Sequence, residues 1–316
     1  MSKSSKSSKS SKLSTKDLVT ILDFTPADLE QVFALCAEQK PLAREHRLPH
    51  SHPNRTLACI FHKPSLRTRI SFEIAIRQLG GSSLYVTNAE IGLGERESIE
   101  DVGRVLSRFV DGIMIRTFDH EHVRKLAAES SVPVVNGLTD LTHPCQILAD
   151  VFTVKEEFGD ITGRKVVYVG DGNNIAHSWI NAAALMDFPL VIATPRDYAP
   201  DENVVAAARA KGSLDLTVSH DPVDAVKGAD VVYTDVWASM GQEDEAAARK
   251  KAFADFQLND ALISHAKDEA IVLHCLPAHR GLEITDSVMD GPQSRVYDEA
   301  ENRLHIQRAV LALLMD

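Results

Sequence analysis

Residues 65–69, Ser-Leu-Arg-Thr-Arg, place two hydroxyls and two guanidinium groups within little more than one helical turn. Together with the free backbone N–H groups of a helix start, such a set suits a phosphate better than a carboxylate alone. The flanking pattern predicts that helix start. Residues 55–61 read as a short apolar strand, and Phe72, Ala75, Ile76 and Leu79 fall at i, i+3, i+4 and i+7, one face of a helix. Pro64 fixes the turn, Ser65 is a natural N-cap and Gly80-Gly81 stops the helix. An ordinary capped helix with solvated arginines shares these features. The reading therefore leans on three further stretches.

Around this segment, strand and helix patterns alternate: helix 26–39 behind a Thr25-Pro26 start, strand 82–86, a Gly-containing loop 88–96, strand 112–116, helix 119–129 and strand 132–136. Ser98 to Asp101 resembles a capping box, followed by a helical stripe of Ile99, Val102, Leu106, Phe109 and Val110. A second unit repeats the alternation with strands 165–169, 190–193, 214–218, 231–234 and 271–273 and helices 175–186 and 203–210. The fold class expected is α/β, with two doubly wound parallel-sheet domains and a boundary near residue 148. Ligands gather at the carboxyl ends of such strands. Arg116 ends one strand, and His143, in His143-Pro144-Cys145-Gln146, sits in the loop after another. In the second unit, Asp235-Val236-Trp237-Ala238-Ser239-Met240-Gly241 follows a strand and offers a carboxylate and a hydroxyl for an amino acid. His274-Cys275-Leu276-Pro277 follows the last strand, and Cys275 reads as a polar lining residue and not as a nucleophile.

Composition excludes several classes. The chain has 316 residues, enough for two domains, and a net charge of −11, which argues against a nucleic-acid partner. No apolar run reaches the length of a membrane span and no signal-peptide core is visible, so a cytoplasmic protein without a membrane partner is expected. Cys36, Cys59, Cys145 and Cys275 are scattered without metal spacing and read as reduced thiols. Residues 1–12 are Ser/Lys repeats, and a disordered tail is expected over 1–17. Gly170-Asp171-Gly172-Asn173-Asn174 lies between a strand and a helix, as in dinucleotide sites. However, Ile175 stands at the third glycine position and the next strand ends in Thr194-Pro195-Arg196, with no acid there for a ribose. A nicotinamide-dependent oxidoreductase is the alternative enzyme class.

Taken in order, the stretches at 65–69, 143–146, 235–242 and 274–281 resemble the signatures of the aspartate/ornithine carbamoyltransferase family, over a span from about residue 18 onward. The loop at 235–241 resembles that of the ornithine-specific branch and not those of the aspartate or putrescine branches. The resemblance implies transfer of a carbamoyl group from carbamoyl phosphate to the δ-amine of L-ornithine, giving citrulline and phosphate in arginine metabolism. It implies that Ser65, Leu66, Arg67 and Thr68 hold the phosphate, with Arg116 bridging phosphate and carbonyl oxygen. His143 and Gln146 would bind the carbamoyl group, Cys275 and the backbone of Leu276 its amide end, and Asn174, Asp235, Ser239 and Met240 the ornithine. Arg303 matches a family arginine that returns to the phosphate side. That return suits a C-terminal helix over 299–316, whose Ile306, Val310, Leu313 and Leu314 need the apolar surface of the first domain. The domains implied are thus 18–148 with 299–316 for carbamoyl phosphate, and 149–298 for ornithine. No metal or organic cofactor is implied, and the family forms homotrimers with active sites at subunit interfaces. A catalytically silent binding relative is the non-enzyme alternative.

Two positions depart from the commonest family pattern. Leu66 stands where many members have threonine. Gly92 stands where many place a glutamine or histidine reaching into the adjacent subunit's site, so that contact is absent or supplied by Glu95 or Arg96.

Overall fold

The computed structural model describes residues 12–238 and 243–316. Runs rich in Val, Ile and Leu form two sheets whose strand pairings are all parallel. The first contains β1 (Thr56–Phe61), β2 (Ser82–Thr87), β3 (Gly112–Arg116) and β4 (Val134–Leu138), in the order β2-β1-β3-β4. The second contains β5 (Val166–Val169), β6 (Leu190–Ala193), β7 (Leu216–Ser219), β8 (Val231–Thr234) and β9 (Ile271–His274), in the order β7-β6-β5-β8-β9. β1, β3, β5 and β8 are buried almost throughout, as strands covered on both faces must be, while edge strands β2 and β7 carry exposed positions.

Helices α1 (Pro26–Arg44), α2 (Leu66–Gln78), α3 (Asn88–Ile91), α4 (Ile99–Leu106) and α5 (His120–Glu129) belong to the first sheet. α6 (Pro144–Phe158) leads out of it. α7 (Asn174–Met186), α8 (Glu202–Lys211), α9 (Pro222–Val226), α10 (Ala246–Ala252), α11 (Asp260–Ile263) and α12 (Asp286–Met289) accompany the second. Finally α13 (Val296–Leu314) returns to pack on α1, α2 and α6, as its apolar stripe predicts. One hydrophobic cluster runs through both units, joining Leu57 and Phe72 to Leu148, Tyr168, Trp179, Ile306 and Val310. The two sheets therefore share a core built on α6 and α13.

Several expectations are corrected. The boundary placed at residue 148 falls inside α6, which is buried from Pro144 to Val154 and serves both units. Residues 12–17, expected in the tail, are described and packed. Leu13 is buried, the Ser14 N–H donates to Asp28 Oδ1 at 2.9 Å, and Lys16 Nζ donates to the carbonyls of Ala127 and Ser130. Residues 1–11 of that tail lie outside the described residues. The loop 88–96 contains α3, because Thr87 and Glu90 cap each other reciprocally. Ser98 does cap α4 by accepting from the Asp101 N–H, but α4 ends at Leu106, leaving Phe109 74% exposed instead of continuing the stripe. α1 extends past residue 39 to Arg44, carrying Pro41 within its last turns.

Candidate active site

Each sheet reverses its winding once. After β2 the chain crosses to the other side of β1 as β3, and after β7 it crosses to the other side of β5 as β8. Such reversals splay the loops at the strands' carboxyl ends and leave a crevice. Residues following β1, β3, β5, β8 and β9 line one cleft of about 1600 Å³. That exceeds the ~300–1000 Å³ of a pocket for one ligand, leaving room for two small molecules side by side.

One end of the cleft is cationic. Ser65 caps α2 by accepting from the Thr68 N–H at 3.4 Å, and its hydroxyl lies 3.1 Å from Thr68 Oγ1. Arg67 lines the cleft, while Leu66 projects to solvent at 72% exposure, so only its backbone serves the helix start. Arg303 reaches in from α13 and donates to Thr68 Oγ1 at 2.9 Å. Arg116 stands buried at the end of β3. Burial, and then the neighbouring guanidinium groups, push the Arg116 and Arg303 side chains below their ordinary range. An anion placed among them would relieve that repulsion. Arg69, expected at this point, is instead exposed. It pairs with Glu73 at 2.9 Å and stacks over Tyr85.

His143 occupies the N-cap position of α6 without a side-chain capping bond, and its own N–H donates to Ser178 Oγ at 2.8 Å. Burial first, then Arg303 and Arg116, hold its pKa well below 6.5, so the imidazole is neutral at pH 7. Gln146 is one turn further along α6. Buried polar atoms almost always find partners. Here Arg67 Nε, Arg116 Nε, Arg303 Nε, His143 Nδ1 and Gln146 Oε1 are all buried without one, on five side chains lining a single cleft.

The opposite end carries carboxylates. Asp235, following β8, accepts from Asn173 Nδ2 and from Cys275 Sγ, each at 2.9 Å. Burial, and then Asp235, push the Cys275 thiol well above 9. Cys275 is therefore a protonated donor and not a thiolate nucleophile. The next residue, Leu276, sits at φ +56°, costly for a bulky side chain, and its N–H donates to His274 Nδ1 at 2.9 Å. Asn174 lines the cleft while its Nδ2 donates to the Thr139 carbonyl at 2.7 Å. Ser239 and Met240 lie outside the described residues. Ligand atoms of Asp235, His274 and Cys275 lie within 4.8 Å of one another. Yet His274 Nδ1 accepts from Leu276 and its Nε2 faces Glu283 at 3.2 Å, so this trio is not a ready ion site.

The glycine-rich loop after β5 is filled by protein. A Cβ on Gly172 would meet Pro200 N at 2.4 Å and Ala199 C at 2.5 Å, so glycine here permits contact between two backbones and not with a pyrophosphate. Gly92 ends α3 at φ +53°, a left-handed cap, and the Arg96 guanidinium turns back to the Glu90 carbonyl of the same helix. Arg249, on α10, escaped the sequence reading. Arg249 donates from Nη1 to Asp171 Oδ2 at 2.7 Å and to the Trp237 carbonyl at 3.0 Å, tying the loop after β5 to the loop after β8. No local spacing signals a pair separated by 78 positions.

Known proteins share this arrangement. Residues 16–156 match the aspartate/ornithine carbamoyltransferase carbamoyl-P binding domain, and residues 162–314 match the Asp/Orn binding domain of the same family. An ornithine carbamoyltransferase of Thermococcus kodakarensis is 52% identical over 96% of this chain and 97% of its own. An anabolic ornithine carbamoyltransferase of Pyrococcus furiosus is 51% identical over 96% and 97%. The solved Pyrococcus furiosus structure superposes with a TM-score of 0.92 at 49% identity, covering 96% of this chain and 98% of that one. A Burkholderia thailandensis ornithine carbamoyltransferase follows at a TM-score of 0.88 and 44% identity, covering 95% and 99%. Two matched halves, near-complete coverage and a cleft with cations facing carboxylates agree: the chain belongs to the aspartate/ornithine carbamoyltransferase family.

Proposed function

We infer that this chain transfers the carbamoyl group of carbamoyl phosphate to the δ-amine of L-ornithine, giving L-citrulline and phosphate. The observation that carries the reading is the set of five buried, unpartnered polar atoms at the cationic end of the cleft. They comprise three guanidinium donors for phosphate and carbonyl oxygens, one imidazole nitrogen, and one amide oxygen that can accept from an N–H. In this reading Ser65, Arg67, Thr68 and Arg303 hold the phosphate, and the backbone of Leu66 completes the helix start. Arg116 and neutral His143 bind the carbonyl oxygen, where negative charge grows as the amine adds. Gln146 Oε1, Cys275 and the Leu276 backbone take the carbamoyl NH2. Asp235, Asn174, Ser239 and Met240 hold the amino and carboxylate groups of ornithine.

The δ-nitrogen lone pair forms the new C–N bond, the C–O bond to phosphate breaks, and the proton lost from the amine leaves with phosphate. No covalent enzyme intermediate is required. The names of the relatives support ornithine as acceptor, and the anabolic label of one supports the synthetic direction. We take the two sheets as the carbamoyl-phosphate and ornithine halves. The junction belongs after α6, with α13 assigned to the first half. A homotrimer is proposed from the exposed Leu66, Ile70, Leu84 and Phe109 of the first half, Leu66 lying at the cleft rim. A cytoplasmic setting is supported by four free cysteines, three of them buried. Among the described residues no helix is long and apolar enough to cross a membrane.

The test is a carbamoyl-transfer assay with ornithine, putrescine, aspartate and N-acetylornithine offered separately. Citrulline from ornithine alone is the expected result. Product from another amine would overturn the acceptor assignment, and no product from any would overturn the enzyme reading.

A further inference from the structure

Behind the carbamoyl end of the cleft lie two carboxyl groups without a role in the reaction as described. Asp150 stands one turn after Gln146 on α6, and Glu299 stands one turn before Arg303 on α13. Each i, i+4 spacing sets a carboxyl group beside a cleft side chain. Both are fully buried. Gln146 Nε2 donates to Asp150 Oδ1 and to Glu299 Oε1, each at 2.8 Å. Glu299 is itself fixed, its Oε2 accepting from the His274 N–H at 2.8 Å and its Oε1 from the Tyr233 hydroxyl at 3.3 Å. Both amide hydrogens of Gln146 are thus committed to the protein's own chain. What remains of the amide is Oε1, buried, unpartnered and on a residue that lines the cleft.

A glutamine amide free in a pocket can turn over and present either its NH2 or its oxygen. Turning this one over would set its oxygen against two carboxyl oxygens. Burial pushes Glu299 well above the ordinary carboxylate range and Asp150 up to about 7, so the adjoining carboxyls hold a proton between them at neutral pH. That leaves the Gln146 nitrogen facing acceptors throughout.

We propose that Asp150 and Glu299 are positioning residues that hold the Gln146 oxygen toward the cleft, so that the site selects a carbamoyl phosphate, whose NH2 can donate, over an acyl phosphate with a methyl group there. The proposal rests on the carbamoyl-phosphate reading above. A methyl group at that place leaves a buried acceptor unpaired, which is how polar sites reject analogues lacking a donor.

The experiment compares wild type with Asp150→Asn, Glu299→Gln and the double variant. These changes keep the shape of each side chain but supply NH2 groups that can donate to a turned-over Gln146. Four quantities are read: the KM for carbamoyl phosphate, the inhibition constant of acetyl phosphate, the inhibition constant of inorganic phosphate, and the melting temperature. The expected result for each single variant is a KM for carbamoyl phosphate raised roughly tenfold to a hundredfold, with inorganic phosphate affected less than twofold. The ratio of acetyl phosphate inhibition constant to carbamoyl phosphate KM should fall by a similar factor. An unchanged ratio overturns the proposal, as does equal weakening of all three ligands, which marks general loss of packing. If the double variant does not fold, the single variants decide. Wild type that makes no citrulline overturns the function reading alone, because equilibrium competition between carbamoyl and acetyl phosphate still reads the preference in all four proteins.

Discussion

Arg67, Arg116 and Arg303 come from three elements and meet at one hydroxyl-lined helix start. Of the three, only Arg67 belongs to the local motif that makes the helix start recognisable in sequence. Arg69 looked equivalent, but residues two apart on a helix project in nearly opposite directions, so Arg67 and Arg69 cannot serve the same point. Leu66, likewise, is exposed where a threonine would offer a hydroxyl. Replacing Arg67 by alanine should raise the barrier to transfer by about 2.7–4 kcal/mol, a hundredfold to a thousandfold loss in kcat, with the melting temperature unchanged. Steady-state kinetics and calorimetry check both halves of that statement. Cys275 makes a second prediction. Because burial and Asp235 keep its thiol protonated, iodoacetamide should label it very slowly at pH 8, and its rate should climb only above pH 9, as read by peptide mass spectrometry. Fast labelling at pH 8 would mean a thiolate and would reopen a nucleophilic role.

At the level of elements, the strands and the helix starts were legible because period-two and period-3.6 patterns report burial directly. What periodicity missed is an element enclosed on every side. α13 shows an apolar stripe at Ile306, Val310, Leu313 and Leu314, yet His305, Gln307 and Arg308 are buried too, because α1, α2 and α6 surround it. A polar residue on a helix reads as solvent-facing until a partner is known, and the partners of Arg308 lie some 230 to 270 positions away. Its Nε donates to Gln39 Oε1 at 3.0 Å and its Nη1 to Gln78 Oε1 at 2.7 Å. Arg308→Ala should remove both bonds, strand the buried Gln39 oxygen and the part-buried Gln78 oxygen and leave a cavity, lowering stability by about 3 kcal/mol. A shift in the urea midpoint measures it, and the transfer rate per folded molecule should hold. The same blindness hid Asp150 and Glu299, although their four-residue spacing from Gln146 and Arg303 was there to be read.

For the molecule as a whole, buried ionisable groups set the response to acid. Burial lowers the pKa of His305 from 6.5 to about 4, despite a contact of 2.9 Å between its Nε2 and Glu301. The unfolded chain binds that proton near pH 6.5 and the folded chain only near pH 4. Between those values, therefore, protons favour unfolding and stability falls as pH drops. His143 and His177 are lowered by burial as well and act in the same direction. Asp150, raised by burial, opposes it, its contribution being lost as pH rises through about 7, and Glu299, raised well above the ordinary carboxylate range by burial, acts in the same sense as Asp150. The clean observable is a difference. The stability of wild type minus that of His305→Gln should fall from pH 6.5 to pH 4 and then level off, by urea titration at each pH. Assembly gives another whole-molecule prediction. Light scattering should find three chains of 34.7 kDa together, and Phe109→Asp, which charges the most exposed large hydrophobic side chain among the described residues, should shift the mass toward one. An unchanged mass would place the interface elsewhere.

The Thr68–Arg303 hydrogen bond joins residues 235 positions apart. Synthesised at roughly 5–20 residues per second, the chain makes the helix start at Ser65 some 10–50 seconds before the arginine that completes it. During that interval α1, α2 and α6 also lack the helix that fills the space between them. With Arg303 in the role proposed for it, a nascent chain is inert toward carbamoyl phosphate, and it exposes an apolar groove where α13 will pack. On that assignment, completion of the anion site and burial of the groove arrive together, when a single helix leaves the ribosome.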